Sequence, residues 1–335
     1  MSNCENPLSE LPFKFLFLIW GTPDQGPRSR VMANKLGFDV HYVQTSLPRG
    51  SLYAPLKYVI QAFKTMIYLF RTHPQVIFVQ SPPLFAAFFV YLYCAMSGNK
   101  FIVDAHSAAF SDFWWGRMPT WLNRLVARKA VTTMVTNEHM QQLIQKLGGH
   151  ALILRDVPTT FHVRGKYPVE GMFNIALVNT FAPDEPLDEV LKAAVEIPEV
   201  HFYITGKLKQ SNAEIVNQAP SNVHFTDFLS NADFYNLLNT AQAVMCLTTR
   251  NHTMQRGACE ALSLGKPIIT SNWPLLRTYF NKGTMHVENN AENIRQGILK
   301  MQKDLRSFEQ GIKALQVDQQ QEWQEKITTL VSLIK

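Results

Sequence analysis

The chain has 335 residues, of which 46% are hydrophobic and only 17% are charged, and its net charge is +6. This length and apolar content fit two α/β domains of about 150 residues each, with enough apolar material for two cores. The basic residues are scattered rather than gathered in a dense stripe, and no nucleic-acid-binding module is recognisable. Nucleic acid is therefore excluded as the expected partner.

The cysteines and the apolar segments indicate a cellular location. Cys4, Cys94, Cys246 and Cys259 lack the spacing of metal or redox motifs, which favours unpaired thiols in a reducing cytoplasm. We see no signal peptide at the amino terminus. The longest apolar stretch, residues 84–96, is too short to span a bilayer and is typical of a buried helix. We expect a cytoplasmic protein.

Strands alternate with helices in the amino-terminal half. Apolar runs predict strands at residues 13–20, 39–44, 75–80, 100–104 and 131–136, and longer patterns predict intervening helices at 52–71, 84–96 and 121–129. This rhythm predicts a doubly wound parallel sheet, in which ligands bind at the carboxyl ends of strands. The loop after the first strand lacks the G-x-G-x-x-G dinucleotide fingerprint.

Two polar loops follow predicted strands of this half. Gly26 starts a segment that places Arg28 and Arg30 beside a glycine turn, where they either anchor an anionic group or are solvated surface arginines. Asp104 and His106 follow an apolar strand directly. An aspartate and a histidine two residues apart can orient a sugar hydroxyl or move a proton, and a purely structural pair is the alternative.

An aromatic loop lies just beyond this pair. Phe110, Phe113, Trp114 and Trp115 are followed by Arg117, and further basic residues occur up to residue 129. Such aromatics either fold back onto the core or meet a membrane interface or an apolar ligand. The neighbouring cations favour the anionic inner face of the cell membrane, to which we expect the protein to bind peripherally.

The alternation of strands and helices lapses between residues 155 and 171, which we interpret as a linker. The predicted domains are residues 1–160 and 161–315, followed by a segment, 316–335, that packs back on the first domain through an amphipathic helix at 318–334. In the second domain, Gly206 and Lys207 follow a predicted strand. The lysine either meets a diphosphate on this turn or is an ordinary exposed lysine.

The segment 243–271 has the pattern of a strand, a polar loop, a helix and a second strand. Glu260 lies in the first turns of this helix, where a carboxylate can accept hydrogen bonds from a ribose diol; a solvated helix glutamate is the alternative. The loop and the first helical turn are assigned to donor binding as well, because free N–H groups at a helix amino-terminus attract anions. These residues are Arg250, His252, Thr253, Met254, Gln255, Arg256 and Gly257.

Five short motifs occur in the order in which they occur in one family of enzymes. The motifs are Gly26-Pro27-Arg28-Ser29, Gln80-Ser81-Pro82-Pro83, Val103-Asp104-Ala105-His106-Ser107, Ala182-Pro183-Asp184-Glu185 and Thr205-Gly206-Lys207. They resemble the GT-B glycosyltransferases, and among these the β-1,4-mannosyltransferases that act on lipid-linked chitobiose. The resemblance implies an α/β GT-B fold with two Rossmann-like domains facing across a cleft, the first for the acceptor and the second for the nucleotide-sugar.

The function implied by the resemblance is transfer of mannose or another hexose from a GDP- or UDP-sugar to a lipid-linked sugar or a glycan, without a metal or other cofactor. Many retaining relatives carry two glutamates with seven residues between them, but His252 stands where the first would be, with Glu260 at the second. They also carry an arginine and a lysine for the diphosphate, whereas residues 179–185 contain no cation. Lys207, Arg250 or Arg256 would then supply the charge.

The stereochemical outcome is left open by these departures. His106 would take the acceptor's proton in an inverting reaction or bind the donor sugar in a retaining one, with Asp104 orienting it or acting as the base. Two other functions remain open as well: a sugar-nucleotide epimerase and a non-catalytic GT-B scaffold.

Overall fold

A computed structural model describes residues 8, 10–23, 27–47, 51–110, 119–161, 163–210 and 213–335. The chain forms two compact units. Unit 1 comprises residues Met1–Val157 and Glu322–Lys335, and unit 2 comprises Pro158–Gln321. The division after Val157 lies three residues before the predicted boundary at 160, and the terminal segment joins unit 1 from residue 322 instead of 316.

Unit 1 contains six parallel strands in the order β2-β1-β3-β4-β5-β6. The strands are β1 (Phe15–Ile19), β2 (Asp39–Tyr42), β3 (Val76–Ser81), β4 (Lys100–Ala105), β5 (Thr133–Val135) and β6 (Ala151–Ile153). The helices are α1 (Pro27–Lys35), α2 (Ala54–Thr72), α3 (Leu84–Ser97), α4 (Thr120–Lys129) and α5 (Glu138–Lys146), with short 3-10 helices at Ser51–Tyr53 and Ser107–Phe110. Every residue of β3 is buried, as expected of a central parallel strand covered on both faces.

The sheet of unit 1 has an apolar layer on each face. One layer includes Leu18 and Val79 of the sheet with Ala62 of α2 and Val90 of α3. The other includes Phe17 and Phe78 with Met32 of α1 and the terminal residues Trp323, Ile327 and Leu330. The strand order reverses between β1 and β3, and the loops at the carboxyl ends of such strands are where α/β sheets bind ligands.

Unit 2 contains six parallel strands in the order β12-β11-β10-β7-β8-β9. The strands are β7 (Phe173–Leu177), β8 (Val200–Thr205), β9 (Val223–Asp227), β10 (Ala243–Cys246), β11 (Ile268–Ser271) and β12 (Thr284–Val287). The helices are α6 (Leu187–Val195), α7 (Ala213–Asn217), α8 (Asn231–Thr240), α9 (Arg256–Ser263), α10 (Pro274–Tyr279) and α11 (Ala291–Lys303), with a 3-10 helix at Leu208–Gln210. This is the Rossmann order, and its crevice lies between β7 and β10. The terminal helix α12 (Leu305–Ile334) belongs to unit 2 up to Gln321 and to unit 1 from Glu322.

The terminal helix α12 is longer than the sequence predicts. It begins at Leu305 rather than near residue 318, and its first half buries Ile312 and Leu315 in unit 2. Gly311 interrupts the apolar pattern there, so the sequence does not predict the first half of this helix. A Cβ at Gly311 would lie 2.5 Å from the backbone nitrogen of Gly283, so the close approach of the two backbones requires glycine at this position.

Candidate functional site

A polar cluster lies at the carboxyl end of β4 in unit 1. Asp104 is fully buried and accepts hydrogen bonds on both oxygens. Arg28 Nη1 donates to Oδ1, and Ser29 Oγ donates to Oδ2 over 2.6 Å. His106 Nε2 lies 3.1 Å from the same Oδ2 and 2.9 Å from Ser29 Oγ. The first turn of α1 and the loop after β4 therefore meet in one network, and the structure brings together the predicted residues Arg28, Asp104 and His106.

Asp104 is held in its charged form. Burial raises the pKa of its carboxyl, but the charges of Arg28 and His106 and the hydrogen bonds from His106 and Ser29 outweigh burial and lower the pKa well below its ordinary value. A carboxylate that is fully buried and ion-paired does not contact a substrate. The geometry thus supports Asp104 as the residue that orients His106 rather than as the base.

Arg28 is a structural partner of this network rather than a free anion anchor. Its Nε donates to the carbonyl of Arg155 over 3.1 Å and its Nη2 to the carbonyl of Leu154 over 2.6 Å. Three of its donor atoms are thus used within unit 1. Arg30 donates to the carbonyl of Pro23 over 3.0 Å, and Gly26 lies outside the described residues.

The imidazole of His106 is the most accessible polar group of the cluster after these contacts are made. Its side chain keeps 21% of its surface exposed, whereas that of Asp104 keeps none. A carboxylate only accepts hydrogen bonds, so Nε2 is the donor to Asp104, and in the neutral imidazole Nδ1 has the lone pair. Nδ1 makes no polar contact with the part of the chain that the structure describes, which leaves it available to accept a proton or a hydrogen bond.

Unit 2 has an open pocket of about 390 Å³ at the carboxyl ends of β7, β8 and β9. Lys207 is exposed at its edge, and its Nζ lies 5.1 Å above the ring of Phe228, which is itself 70% exposed. A large exposed ring beside a cation is an available stacking surface. The lining residues are Val178, Asn179, Thr180, Thr205, Gly206, Lys207, Phe228, Leu229, Asn231 and Phe234.

Two glycines shape this edge of the sheet. Gly206 has a φ of +124°, and a Cβ there would lie 2.6 Å from the carbonyl oxygen of Asn179. Gly257 lies in the first turn of α9, and its Cβ would lie 2.8 Å from Cys246 Sγ and from Val178 Cβ. The amino end of α9 therefore packs directly against β10 and against Val178 of the pocket wall. Glycine at these two positions permits this close approach.

Glu260 lies one turn into α9, with 11% of its side chain exposed. Arg256 Nε donates to its Oε1 over 3.1 Å, so two residues assigned to the donor form an ion pair with each other. The arginine is 41% exposed, which leaves it accessible to a ligand as well. Gln255 precedes this helix as its N-cap residue and gives it no side-chain cap.

The loop after β10 is held by an aspartate that the sequence analysis noted only as part of a motif. Asp184 Oδ2 accepts from Thr248 Oγ1 over 2.8 Å, and its Oδ1 lies 3.2 Å from Arg250 Nη2. Arg250 is thereby drawn towards the loop after β7. His252 follows in a left-handed conformation, with a φ of +58°, and Thr253 Oγ1 contacts the carbonyl of Asn251 over 3.4 Å. Met254 packs against the apolar core of unit 2.

Glu185 occupies the loop in which related enzymes carry cations. Its Oε2 accepts from the backbone N–H groups of Thr180 and Ala182, over 2.7 and 3.0 Å, and its Oε1 accepts from Thr180 Oγ1. A turn of free N–H groups is a common anion-binding feature, and here a side chain of the protein fills it. Any diphosphate at this edge must therefore use other donors.

Of the five residues that the sequence predicts to contact a membrane, the structure describes one, Phe110. Phe110 is half-buried and packs against the apolar core of unit 1, at the end of the 3-10 helix that follows β4. A ring in this position fills the space beside the sheet, so the prediction of membrane contact is not supported for this residue. Phe113, Trp114, Trp115 and Arg117 lie outside the described residues.

The described residues contain one group of side chains with the composition of a metal site. Glu170, His201 and His224 have ligand atoms within 4.8 Å of one another. His201 and His224 are the second residues of β8 and β9, so the group lies at the opposite edge of the sheet from the pocket. The 3.0 Å contact between His201 Nδ1 and His224 Nε2 is a hydrogen bond that satisfies both atoms without an ion. Independence from metal stays a prediction.

Three buried thiols are not candidate nucleophiles. Cys94, Cys246 and Cys259 are buried, as the sequence predicts. Burial raises the pKa of Cys94 to about 12 and that of Cys246 well above its ordinary value. Both are therefore protonated at neutral pH.

Comparisons with known proteins agree with this architecture. A family model described as "Glycosyl transferases group 1" matches residues 174–316. The structure is similar to the sucrose-phosphate synthase of Thermosynechococcus elongatus, with 13% identity, a TM-score of 0.68 and coverage of 96% of this chain and 98% of that one. The structure is also similar to that of the HepE protein of Anabaena, solved with UDP and glucose, with 13% identity, a TM-score of 0.67 and coverage of 96% of this chain and 100% of that one.

A third similar structure belongs to another class of enzyme. The putative UDP-N-acetylglucosamine 2-epimerase of Listeria monocytogenes is 14% identical, with a TM-score of 0.61 and coverage of 90% and 91%. No curated protein sequence matches the chain. The chain thus has the GT-B fold, and residues 174–316 match the model of the glycosyl transferases group 1 family.

Proposed function

We propose that the protein is a hexosyltransferase that moves mannose or another hexose from a GDP- or UDP-sugar to a lipid-linked sugar or a glycan. The observation that carries the proposal is the open pocket beside the switch point of unit 2, within the segment that matches the glycosyl transferases group 1 family model. Its volume of about 390 Å³ is in the range of small-molecule sites.

The donor is proposed to bind along the wall from Phe228 to α9. The nucleobase stacks on the exposed ring of Phe228, and Lys207, which faces that ring, neutralises the diphosphate. The amino end of α9 meets the pocket wall at Val178, so its N–H groups are placed to contact the same ligand. Glu260, one turn along, accepts hydrogen bonds from the ribose diol when Arg256 turns to the phosphates. These donors provide charge stabilisation without a metal.

The acceptor is proposed to use the cluster of unit 1. Nδ1 of His106 has no polar partner among the described residues, and the contact of Nε2 with Asp104 favours the neutral tautomer in which Nδ1 has the lone pair. In an inverting reaction Nδ1 takes the proton of the acceptor hydroxyl as the bond to the sugar forms. In a retaining reaction it accepts a hydrogen bond from the donor sugar. A lipid-linked acceptor at the cytoplasmic face of the membrane is the substrate class that we favour.

Thermal unfolding against a panel of GDP- and UDP-sugars tests the donor. We expect one nucleotide to raise the melting temperature, because a ligand that binds only the folded state stabilises it. The sugar that is released or transferred from that nucleotide then identifies the reaction. Lys209→Met is the matched control for Lys207→Met, since both lysines are exposed but only Lys207 lines the pocket. Absence of stabilisation by every nucleotide would favour the scaffold.

An epimerase is the second candidate, because one similar structure is a putative UDP-N-acetylglucosamine 2-epimerase. The two functions differ in what they require besides the donor. An epimerase converts the sugar-nucleotide alone, whereas a transferase releases free nucleoside diphosphate only as it glycosylates an acceptor or water. Chromatography of the sugar-nucleotide after incubation without an acceptor separates the two.

A further inference from the structure

Helix α2 exposes a continuous apolar stripe. Its members recur every three or four residues from the 3-10 helix at Ser51–Tyr53 through the last turn of α2, and each is 45 to 84% exposed. They are Leu52, Leu56, Val59, Phe63, Ile67 and Phe70. The opposite face of the helix supplies Gln61, Ala62, Thr65 and Leu69 to the interior of unit 1. Packing within the protein therefore accounts for one face only.

Six large apolar side chains in one row are a different feature from scattered exposed residues. Single exposed apolar side chains are normal on soluble proteins, but contiguous apolar patches of this kind mark surfaces that contact a partner or a membrane. Most other exposed large apolar residues, such as Val195 in α6 and Val317 in α12, lie apart in unit 2. The stripe is thus the largest exposed apolar feature in the described parts of unit 1.

A row of cations runs beside the stripe. Lys57, Lys64 and Arg71 recur every seven residues, which places them one above another along two-turn steps of the helix. Helix α2 contains no acidic residue. The helix therefore presents an apolar face bordered by positive charge, which is the pattern of helices that lie in the plane of an anionic bilayer surface.

A pocket adjoins this row. It has a volume of about 390 Å³ and lies between α2 and the edge strand β2, with Lys64 and Arg71 in its wall. His41 lies in the same wall, and its ring stacks on Tyr68 with 3.5 Å between centroids. An open pocket with two cations next to an apolar row is suited to a phosphate-bearing lipid head group.

We propose that α2 is the membrane-docking element of this protein and that it lies on an anionic lipid surface. The stripe enters the boundary between head groups and acyl chains, and Lys57, Lys64 and Arg71 contact the phosphates. Among the described helices, none is long and apolar enough to cross a membrane. The proposal places unit 1, the acceptor unit of the proposed function, at the surface where a lipid-linked acceptor would be found.

Flotation of the full chain with vesicles tests this surface. We expect binding to vesicles of phosphatidylcholine with phosphatidylglycerol, weaker binding to phosphatidylcholine alone, and loss of the difference at high salt, because screening acts on exposed charges. The double variant Leu56→Ser with Phe63→Ser should lower the partition coefficient at least about tenfold, since it removes two of the largest side chains from the apolar face. Val195→Ser with Val317→Ser, also exposed but outside the stripe, should bind as the unaltered protein does.

The charge arm uses Lys57→Gln with Arg71→Gln, and its control is Lys303→Gln with Lys313→Gln, two exposed lysines of unit 2. We expect only the first pair to abolish the preference for phosphatidylglycerol. Stripe variants that stay folded by circular dichroism and float as well as the unaltered protein would overturn the proposal. A dimer in solution that Leu56→Ser with Phe63→Ser converts to a monomer would also overturn it, by assigning the stripe to a second copy of the chain.

The proposal can fail or succeed independently of the proposed function. Nucleotide-dependent stabilisation reports on unit 2, and the stripe variants should leave it unchanged. Vesicle binding without any nucleotide response would reject the glycosyltransferase and keep the docking surface. A nucleotide response without vesicle binding would reject the docking surface and keep the glycosyltransferase.

Discussion

The two units carry candidate sites of opposite character at the same edge of similar sheets. In unit 1 the polar residues satisfy one another: both oxygens of Asp104 are occupied, three donors of Arg28 are used, and His106 retains the most accessible surface. In unit 2 the site is an open pocket whose cation, Lys207, faces an exposed ring rather than a carboxylate. The cluster of unit 1 is held in place by its own hydrogen bonds, whereas the pocket of unit 2 has exposed surface to which a ligand can bind.

This difference predicts how substitutions will act. A network of buried groups holds the fold and the reactive residue together, so a change in unit 1 affects stability and chemistry at once. An exposed residue that lines the open pocket, such as Lys207, contributes little to folding, so its replacement affects ligand binding and leaves the free energy of unfolding nearly unchanged. The following predictions test that contrast, beginning with the largest expected effect.

His106→Ala should lower the rate of sugar transfer by about 10²- to 10⁴-fold, the range for loss of a general base. Nucleotide binding should be unchanged, because the histidine lies in unit 1 and the pocket in unit 2. Single-turnover kinetics at saturating donor and acceptor give the measurement, with the exposed His139→Ala as control. Normal turnover in His106→Ala would remove the residue from the reaction.

Asp104→Ala should destabilise the protein by about 3–5 kcal/mol, because it leaves the guanidinium of Arg28, only 11% exposed, without its partner. Denaturant unfolding measures this loss. Ser29→Ala removes one hydrogen bond from the same carboxylate and should cost only about 1 kcal/mol. Equal losses in the two variants would show that the ion pair contributes nothing beyond a neutral contact.

The pH dependence of stability gives an independent measure of the same pair. The folded state lowers the pKa of Asp104, so the stabilisation is fully present above the unfolded pKa of about 3.9 and is lost as the pH falls through the folded value. The difference in melting temperature between the unaltered protein and Asp104→Asn should therefore shrink as the pH is lowered below about 4. A difference that is constant from neutral pH downwards would contradict the ionised state.

Much of the fold follows from the sequence because its strands are continuous apolar runs. Strand β3 was predicted at residues 75–80 and is found at Val76–Ser81, and the five strands predicted for unit 1 are found as β1 to β5, whereas α5 and β6 were not predicted. The first half of α12 was missed for a reason that the structure explains. The first half of α12 contains Gly311, which a single sequence presents as a helix breaker and which the structure explains by the backbone of Gly283, a contact distant in sequence.

The candidate sites were predicted less completely, since residue type does not reveal partners. Arg28 and Asp104 were each predicted as site residues, but nothing in the spacing indicated that the arginine donates hydrogen bonds to the aspartate and to two backbone carbonyls. Glu185 was noted only as part of a motif, although it fills the N–H groups of the loop after β7. The stripe on α2 had a visible signal, because its apolar residues cover more of the helix than one buried face requires.

Glu260→Gln should weaken nucleotide binding by about 1–3 kcal/mol, the range for hydrogen bonds to a charged group. The substitution keeps the size of the side chain and removes its charge, so the fold should be preserved. Titration calorimetry gives the affinity, with the exposed Glu199→Gln as control. Unchanged affinity would show that the ion pair with Arg256 is the whole role of Glu260.

Gly257→Ala should disturb the same edge through packing, because the added Cβ would lie 2.8 Å from Cys246 Sγ and from Val178 Cβ. Overpacking of this kind costs about 1–3 kcal/mol of stability and moves the amino end of α9 away from the pocket wall. Gly165→Ala is the control, since its nearest neighbour would be 3.5 Å away. The melting temperature and the nucleotide affinity should both fall for Gly257→Ala, and neither should fall for Gly165→Ala.

Lys207→Ala should produce the smallest change in folding and a clear change in rate. Its side chain is exposed, and its ammonium group lies over the ring of Phe228, so the melting temperature should stay close to that of the unaltered protein. If the ammonium neutralises the departing diphosphate, kcat should fall about ten- to a hundredfold, because the charge of the leaving group grows in the transition state and is weaker in the ground state. Lys207→Arg should then recover part of the rate, whereas Lys209→Ala should lose none. A loss in affinity for nucleotide with kcat unchanged would instead place Lys207 in uniform binding of the donor, and the wall of the pocket in unit 2 would recognise the donor without assisting its chemistry.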